Sequence, residues 1–351
     1  MKIAINPDRM PTESYSQKWW EFLKKRNVEV KWVDLTAHDG LEQIKDCDGV
    51  MWRPLHIPKE RNKAYRILHT IEHYLGIPVF PDHNTYWHYD NKIAQHLIFK
   101  ALNIPAPQTW IFWDRKTAVE WAKNTSYPKV FKLSTGASSA NVIKVEGKED
   151  ALRLIERSFE EGIFPSTINS KKRFSTPKNF SELKRILYRI KRGMLFGLFN
   201  IYPPLPQPWW QPEMKYVYFQ EFVPENAYDT RITIIGNRAF GFIRYNREGE
   251  FRASGSGRID YDVSKVDLEM VKIAFRVSAL LKCQCMAYDF LYLDNQPVIS
   301  EISYTFLDSA VHKCPGYWQP DLKWKECHIW PEEAQVDDFI EYIKAQKKKK
   351  T

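Results

Sequence analysis

Hydrophobic and polar positions follow two alternating periods along the first eighty residues. Short apolar runs predict strands at residues 2–6, 28–33, 49–52 and 77–80. Apolar side chains at helical spacing predict helices at residues 17–25, 41–45 and 62–75, and Gly76 follows as a helix-ending residue. Alternation of strand and helix favours a parallel sheet covered by helices. The fold class predicted for this part is therefore α/β.

The pattern changes after Pro81, where strands become denser and helices fewer. Helices are predicted at residues 92–102 and 116–123 and strands at 127–132, 141–145, 216–223, 230–235 and 238–244, followed by a long helix capped by Ser264 and a final hairpin at residues 287–303. We divide the chain into an N-terminal domain (1–80), a central lobe (81–212) with a basic insertion at 160–212, and a C-terminal lobe (213–351). Both lobes are expected to be α+β.

The final hairpin carries two acids in register. A turn centred on Asn295 places Asp289 directly opposite Glu301, with Ser303 on the same face. Two opposed carboxylates repel each other, so such a pair is either well solvated or holds a divalent cation such as Mg²⁺. Both interpretations stay open for the pair alone.

A run of small residues joins the predicted strands 127–132 and 141–145. Lys132 precedes this loop, and Gly136, Ser138 and Ser139 lie within it. Exposed backbone N–H groups beside a lysine can close over phosphates. The loop matches neither the P-loop nor the dinucleotide fingerprint, so an ordinary hairpin tip is the alternative.

Two segments are rich in basic residues. Residues 171–192 carry nine basic residues against one acid, Glu182, and include a predicted basic amphipathic helix that Asn179 can cap and Gly193 follows. A proline-aromatic stretch comes after it at 203–212. Residues 171–199 would suit a polyanion or a membrane surface, or equally a helix packed on the body with a wet basic face. Residues 244–258 interleave arginine with glycine and serine, which suggests an anion site or a long soluble loop.

Composition narrows the class of protein. The 351 residues are 44% hydrophobic and 15% aromatic, enough for a large core. We expect a cytoplasmic protein, because there is neither a signal-peptide pattern nor an apolar run that could span a bilayer. The five scattered cysteines fit a reducing compartment and lack zinc-site spacing. Part of the net charge of +9 comes from lysines 347–350, which we expect to form a solvated tail.

The order of several motifs resembles the ATP-grasp superfamily, most closely its RimK-like and glutathione-synthetase-like ligases. The motifs are residues 90–92, 128–132 with the small-residue loop, 220–223, 228–231, 249–252, and Asp289 with Glu301. The resemblance runs from about residue 81 to 303, and the N-terminal units look like the domain that usually precedes it. It implies a parallel α/β domain followed by two α+β lobes that clamp ATP.

The resemblance implies roles for individual residues. The residues implied to bind ATP are Lys92, Lys132, Gly136, Ser138, Ser139, Glu221, Phe222, Val223, Asp229, Arg252 and Ser254, with Glu221 to Val223 as the adenine hinge. Arg252, which the motif match favours, or Arg244 would stabilise an oxyanion, and Asp289 and Glu301 would bind Mg²⁺ or Mn²⁺. Ser303 stands where the family has an asparagine; its hydroxyl is a weaker oxygen donor, so one metal site would be looser.

The implied activity is that of an ATP-dependent carboxylate-amine ligase working through an acyl phosphate. Its partners would be a small amine or amino acid and a carboxylate on a larger molecule, such as an anionic cell-surface glycan precursor or a peptide. One alternative is an ATP-grasp kinase that phosphorylates a hydroxyl. Another is a polyanion-binding protein with a degenerate ATP site. No nucleic-acid partner is expected, because regular basic and aromatic interleaving is confined to one segment.

Overall fold

The computed structural model describes residues 1–8, 14–136, 141–163, 212–248, 253 and 256–350. Contacts divide the chain into a larger unit, formed by Met1–Tyr89, Ala94–Ala106 and Val223–Thr351, and a smaller unit, formed by Asp90–Ile93 and Pro107–Phe222. The sequence-based division into 1–80, 81–212 and 213–351 differs, since its first and third parts fall in one unit. As a division by function it stays a prediction.

The N-terminal part of the larger unit is the parallel α/β layer predicted from the sequence. Its elements are β1 (Lys2–Ile5), α1 (Tyr15–Lys25), β2 (Glu29–Trp32), α2 (Gly40–Gln43), β3 (Gly49–Met51), α3 (Pro58–His73), β4 (Val79–Phe80) and α4 (His83–Tyr86). The sheet order is β2-β1-β3-β4, with every pair parallel. Helix α3 begins earlier than predicted, because Pro58 is pre-organised for the first helical turn.

The smaller unit is built on an antiparallel sheet. The elements that follow α4 are α5 (Lys92–Ala101), β5 (Thr109–Phe112), α6 (Arg115–Asn124), β6 (Lys129–Lys132), β7 (Val142–Val145), α7 (Lys148–Glu160) and β8 (Val217–Glu221). The strand order is β5-β8-β6-β7. Phe131 and Phe219 are fully buried and pack with residues of α6 and α7, which places a separate core in this unit.

The second sheet of the larger unit is long and antiparallel. Its strands and helices are β9 (Tyr228–Ile235), β10 (Arg238–Tyr245), β11 (Ile259–Asp260), α8 (Leu268–Leu281), β12 (Cys285–Leu293), β13 (Gln296–Ser303), α9 (Asp308–His312), β14 (Gly316–Trp318), β15 (Trp324–Glu326) and α10 (Pro331–Lys350). The strand order is β13-β12-β9-β10-β14-β15, and β11 pairs with β10. The prediction that Ser264 caps α8 is wrong: Asp267 does, accepting the Glu269 N–H at 2.8 Å, because Ser264 lies in a separate 3-10 turn.

Helix α10 joins the two ends of the chain within the larger unit. Trp19 on α1 donates from Nε1 to Gln335 Oε1 at 2.9 Å, and Arg26 Nε lies 2.6 Å from Asp337 Oδ1. Lysines 347–349 are exposed, as predicted, but they belong to the end of α10, where Lys347 Nζ lies 2.6 Å from Asp48 Oδ1. Although α10 has 20 residues, neither it nor any other helix in the described ranges is apolar enough to cross a bilayer.

Candidate functional site

The opposition of Asp289 and Glu301 is confirmed. The turn between β12 and β13 has two central residues, Asp294 and Asn295, with φ of 50° and 59°, rather than being centred on Asn295. Continued without interruption, this register would place Ser300 opposite Asp289. Ser300 instead forms a β-bulge and donates from Oγ to the Asp289 carbonyl at 3.0 Å, so that Glu301 pairs with Asp289.

Two arginines hold the Asp289 carboxylate. Arg231 on β9 donates from Nε to Oδ1 at 2.7 Å and from Nη2 to Oδ2 at 2.8 Å, and Arg244 Nη2 on β10 lies 2.8 Å from Oδ2. Arg244 also binds both oxygens of Asp229 at 2.7 Å. The sequence analysis did not identify Arg231 as a site residue; its position two residues after Asp229, on the same strand face, was the available signal.

These contacts set the protonation of the two buried acids. Burial acts to raise the pKa of Asp289, but Arg231 and then Arg244 outweigh it and hold that pKa well below its usual range. Burial raises the pKa of Asp229, and the charge of Asp289 adds to this while Arg244 opposes it. Burial acts to lower the pKa of Arg244, yet Asp289 and Asp229 keep it above its usual value. Asp289 therefore remains a carboxylate at neutral pH.

The donors at this hairpin fit a hard divalent cation. Asp289 and Glu301 offer carboxylate oxygens on one sheet face, the ligand type that Mg²⁺ prefers. A carboxylate has about four lone-pair positions, and the guanidinium contacts occupy most of those on Asp289. The Ser303 hydroxyl donates to the Thr305 carbonyl at 2.8 Å. Whether Ser303 also binds a metal stays a prediction.

Among the residues that the structure describes, the smaller unit brings together Lys92 and Gly136, both predicted to bind phosphate. Lys132 ends β6, and the chain then passes over Lys92, whose Nζ donates to the Gly136 carbonyl at 3.0 Å. The Lys92 N–H donates to the Ser134 carbonyl at 2.9 Å. Gly136 has φ of +119°, which favours glycine, and donates its N–H to Asp90 Oδ1 at 2.8 Å. Ser138 and Ser139 lie outside the described residues.

Glu213 and Tyr216 belong to this loop region and were missed by the sequence analysis. The N–H groups of Ser134 and Thr135 donate to the Glu213 carboxylate at 2.9 and 3.1 Å. The Tyr216 hydroxyl also contacts Glu213, and burial followed by that carboxylate raises the pKa of Tyr216 well above its usual value. The first part of the loop is thus anchored on a carboxylate that no local sequence pattern marks.

The predicted adenine hinge spans the boundary between the units. Strand β8 ends at Glu221, whose N–H donates to the Gln108 carbonyl at 2.8 Å, and the Phe222 ring lies 4.5 Å from Lys144 Nζ. Val223 begins the next segment of the larger unit. Arg252, Ser254 and the basic helix predicted within residues 171–192 lie outside the described residues, so their roles stay predictions.

A cleft lies beyond the carboxyl ends of β1 and β3, where parallel sheets usually bind ligands. Its polar lining consists of Asn6, Asp8, Asp34, Thr36, Arg53 and Glu60. The Arg53 guanidinium lies 4.1 Å from the Tyr15 ring, and its buried Nε has no hydrogen-bond partner in the described structure. Burial raises the pKa of Asp8. The sequence analysis did not predict this cleft.

Comparison with known proteins shows which proteins this chain is similar to. No family model matches the chain. The alpha-aminoadipate–LysW ligase LysX of Saccharolobus solfataricus is 27% identical over 208 residues, which cover 59% of this chain and 58% of that relative. A RimK domain ATP-grasp protein of Sphaerobacter thermophilus gives a TM-score of 0.55 at 14% identity, covering 97% of this chain and 99% of that one. The D-alanine–D-alanine ligase of Bacillus anthracis, complexed with ATP, gives 0.55 at 15% identity and covers 100% of both chains.

Proposed function

We propose that this chain, which has the ATP-grasp fold of those neighbours, is an ATP-dependent carboxylate-amine ligase. The observation that carries the proposal is the opposed Asp289 and Glu301 pair, bordered by Arg231 and Arg244 on the same sheet. Such a face combines carboxylate donors for a cation with fixed positive charge for phosphate or carboxylate oxygens.

Each part of the reaction has candidate residues. Glu301 and Asp289 would hold Mg²⁺, and the chemistry that the ion supplies when bound is neutralisation of charge on the transferring phosphoryl group. Arg244 would stabilise the oxyanion that forms when an amine attacks the acyl phosphate, with Arg252 as the second candidate. The carboxylates of Asp229 and Asp289 hold the Arg244 guanidinium in place, which limits the reorganisation needed during reaction.

Nucleotide binding would fall to the smaller unit and the hinge. Lys92, Lys132 and the loop N–H groups from Gly136 onward, including Ser138 and Ser139, would contact phosphates. Backbone groups of residues 221–223 would pair with adenine, with Asp229 and Ser254 completing the site. The support is the convergence of Lys92, Asp90 and Gly136 at one loop.

The cleft of the N-terminal sheet would bind the amine substrate. Arg53 has an unused buried donor suited to a carboxylate, while Asp8, Asp34 and Glu60 suit an ammonium group. A carboxylate and an ammonium group are the two charged groups of an amino acid. We propose an amino acid or small amine as one substrate and a carboxylate on a larger molecule, a peptide or an anionic glycan, as the other. The relative LysX is named for an amino acid and LysW, which agrees with the first part.

The test is an ADP-release assay with Mg²⁺ and pools of carboxylates and amino acids. A ligase releases ADP and phosphate only when both substrates are present, whereas a kinase leaves the phosphate on its product. Glu301→Ala should abolish turnover without changing the circular dichroism spectrum. The control is Glu341→Ala, which removes an exposed acid of the same unit and should retain turnover. Full activity of Glu301→Ala would refute the metal assignment.

A further inference from the structure

Three histidines come together in the N-terminal part of the larger unit, away from the hairpin and loop described above. His69 and His73 are four residues apart on α3 and therefore share one helix face. His83 is the first residue of α4. The ring centroids of His69 lie 4.4 Å from His73 and 5.3 Å from His83, and one ring nitrogen from each of the three lies within 4.8 Å of the others.

We propose that His69, His73 and His83 bind a divalent transition-metal ion, with Zn²⁺ as the expected occupant. The proposal is independent of the ligase activity and of the Mg²⁺ expected at the hairpin. Three imidazoles are a soft-to-intermediate nitrogen donor set, which suits Zn²⁺ and excludes Mg²⁺, a cation that takes oxygen ligands. A site with three protein ligands keeps its fourth tetrahedral position for water.

The geometry requires only a small adjustment of side chains. Tetrahedral zinc with Zn–N bonds of about 2.0–2.1 Å needs nitrogens about 3.3 Å apart. His73 is exposed and can rotate toward the other two rings. His69 already has a buried Nδ1 that lacks a hydrogen-bond partner in the described part of the chain. A buried ring nitrogen without a partner is costly, and coordination would satisfy the imidazole.

The backbone beside the cluster is braced on both helices. The Glu72 carboxylate accepts the His83 N–H at 2.8 Å, which ties the start of α4 to the end of α3. Asp82 caps α4 by accepting the Thr85 N–H at 2.9 Å, and its own N–H donates to Gln284 Oε1 at 2.9 Å. Binding therefore does not have to order a loose segment. The ion would cross-link α3 to α4, so zinc should raise the thermal stability of the protein.

Stacking alone is the competing explanation for the cluster. Tyr65 stacks on His69 with ring centroids 6.0 Å apart, and Trp87 stacks on His83 at 6.4 Å. Those contacts bring two of the rings together without any ion. They do not require His73, whose exposed ring gains little from packing. The effect of His73 on metal affinity therefore separates the two explanations.

The experiment is a zinc titration of the full chain carrying no histidine tag. After removal of metal by chelator, ZnCl₂ is titrated against a chromogenic chelator, and X-ray absorption reports the ligands of the bound ion. We expect one Zn²⁺ per chain with nitrogen neighbours at about 2.0–2.1 Å and a higher melting temperature. His73→Ala should weaken binding by about 100-fold or more, since even an indirect partner of a zinc ligand is worth about 10- to 100-fold.

His38→Ala is the matched control, because the His38 side chain is 98% exposed and lies outside the cluster. It should bind zinc like the parent. Substitution of His73 should leave the metal-free melting temperature unchanged, so a loss of binding cannot be attributed to unfolding. Failure of the parent to bind zinc in competition with the chelator, or equal affinity in parent and His73→Ala, would overturn the proposal.

Discussion

At the scale of single residues, the face of the large sheet around Asp289 holds two acids and two arginines in direct contact. Arg244 is shared between Asp229 and Asp289, while Arg231 donates two hydrogen bonds to Asp289. Removing one partner of a buried ion pair leaves an uncompensated charge, which costs more than the pair itself contributes. Arg244 is therefore the residue whose loss affects most of the cluster.

Arg244→Met should destabilise the protein by about 3–5 kcal/mol, because it leaves Asp229 without its partner and Asp289 with Arg231 alone. The measurement is urea unfolding near neutral pH. Arg238→Met is the control on the same strand: its pair with Asp338 is more exposed, and its loss should cost about 1 kcal/mol or less. Equal effects of both substitutions would contradict the role given to burial.

At the same scale, the sequence identified some site residues and not others for physical reasons. The period of two along a hairpin centred on Asn295 predicted the pair of Asp289 and Glu301, although in the structure the pair depends on the bulge at Ser300. The guanidinium contacts of Arg231 depend on the pairing of β9 with β12, 58 residues apart in the chain. Glu213 reaches Thr135 across 78 residues, and no local pattern encodes that approach.

At the scale of elements, the loop after β6 is held by Glu213, a residue outside the hairpin to which the loop belongs. Glu213 accepts two loop N–H groups and contacts the hydroxyl groups of Thr135 and Tyr216. Hydrogen bonds to a charged group contribute about 1.5–3 kcal/mol each. The first residues of the loop, Ser134 and Thr135, are therefore held in place.

Glu213→Ala should raise the KM for ATP by about 10-fold or more, because the loop must then be ordered when the nucleotide binds. ADP-release kinetics with the substrates found by the screen measure the change, and the far-ultraviolet circular dichroism should be retained. Glu149→Ala, an exposed acid of the same unit, should leave KM unchanged. An unaltered KM in Glu213→Ala would mean that Glu213 does not support nucleotide binding.

The contact between α1, α9 and α10 contains an acid with an altered pKa. Burial raises the pKa of Glu332 from 4.5 to about 8, a shift that nearby Lys18 opposes and Asp308 increases. The unfolded chain loses this proton near pH 4.5, whereas the folded chain keeps it until about pH 8. The contribution to stability is therefore complete below pH 4.5 and is lost as the pH rises toward 8.

Glu332→Gln should remove this pH dependence, because a neutral amide has no proton to lose. Each pKa unit corresponds to about 1.4 kcal/mol. As the pH rises from 5 to 8, the free energy of unfolding of the variant should therefore increase relative to that of the parent by about 1.4 kcal/mol per pH unit, as measured by urea unfolding. Glu333→Gln, one residue on, 30% exposed and paired with Arg26, is the control. A constant difference between parent and Glu332→Gln across this range would contradict the expectation.

At the scale of the whole molecule, elements from the two ends of the described chain pack on each other within the larger unit. The Phe339 side chain on α10 is buried and lies 6.3 Å from the Phe80 ring of the parallel sheet. A Cβ at Gly49 on β3 would lie 2.6 Å from Ile343 Cδ1, so the helix packs directly on that strand. Strand and helix periods predicted the elements on each side, but not this contact between residues almost 300 apart.

Phe339→Ala should destabilise the larger unit by about 3–5 kcal/mol through the cavity that it leaves. Native-state hydrogen exchange should then increase together in peptides from β1 and β9, because both share the core that Phe339 fills. Tyr342→Ala, on the same helix and 40% exposed, should change exchange little. Faster exchange confined to α10 would mean that the N-terminal sheet is stable without it.

Because Ser300 forms a bulge, the second strand of the hairpin has one more residue between the turn and Glu301 than the first strand has between Asp289 and the turn. A straight hairpin with the same two-residue turn would need one residue fewer on its second strand to present the same two acids. An alignment with a protein that lacks the bulge must therefore place a one-residue gap at Ser300, so that the glutamate of that protein is compared with Glu301. Aligned from the turn without the gap, that glutamate would be compared with Ser300, and each residue beyond it with a residue of the opposite sheet face.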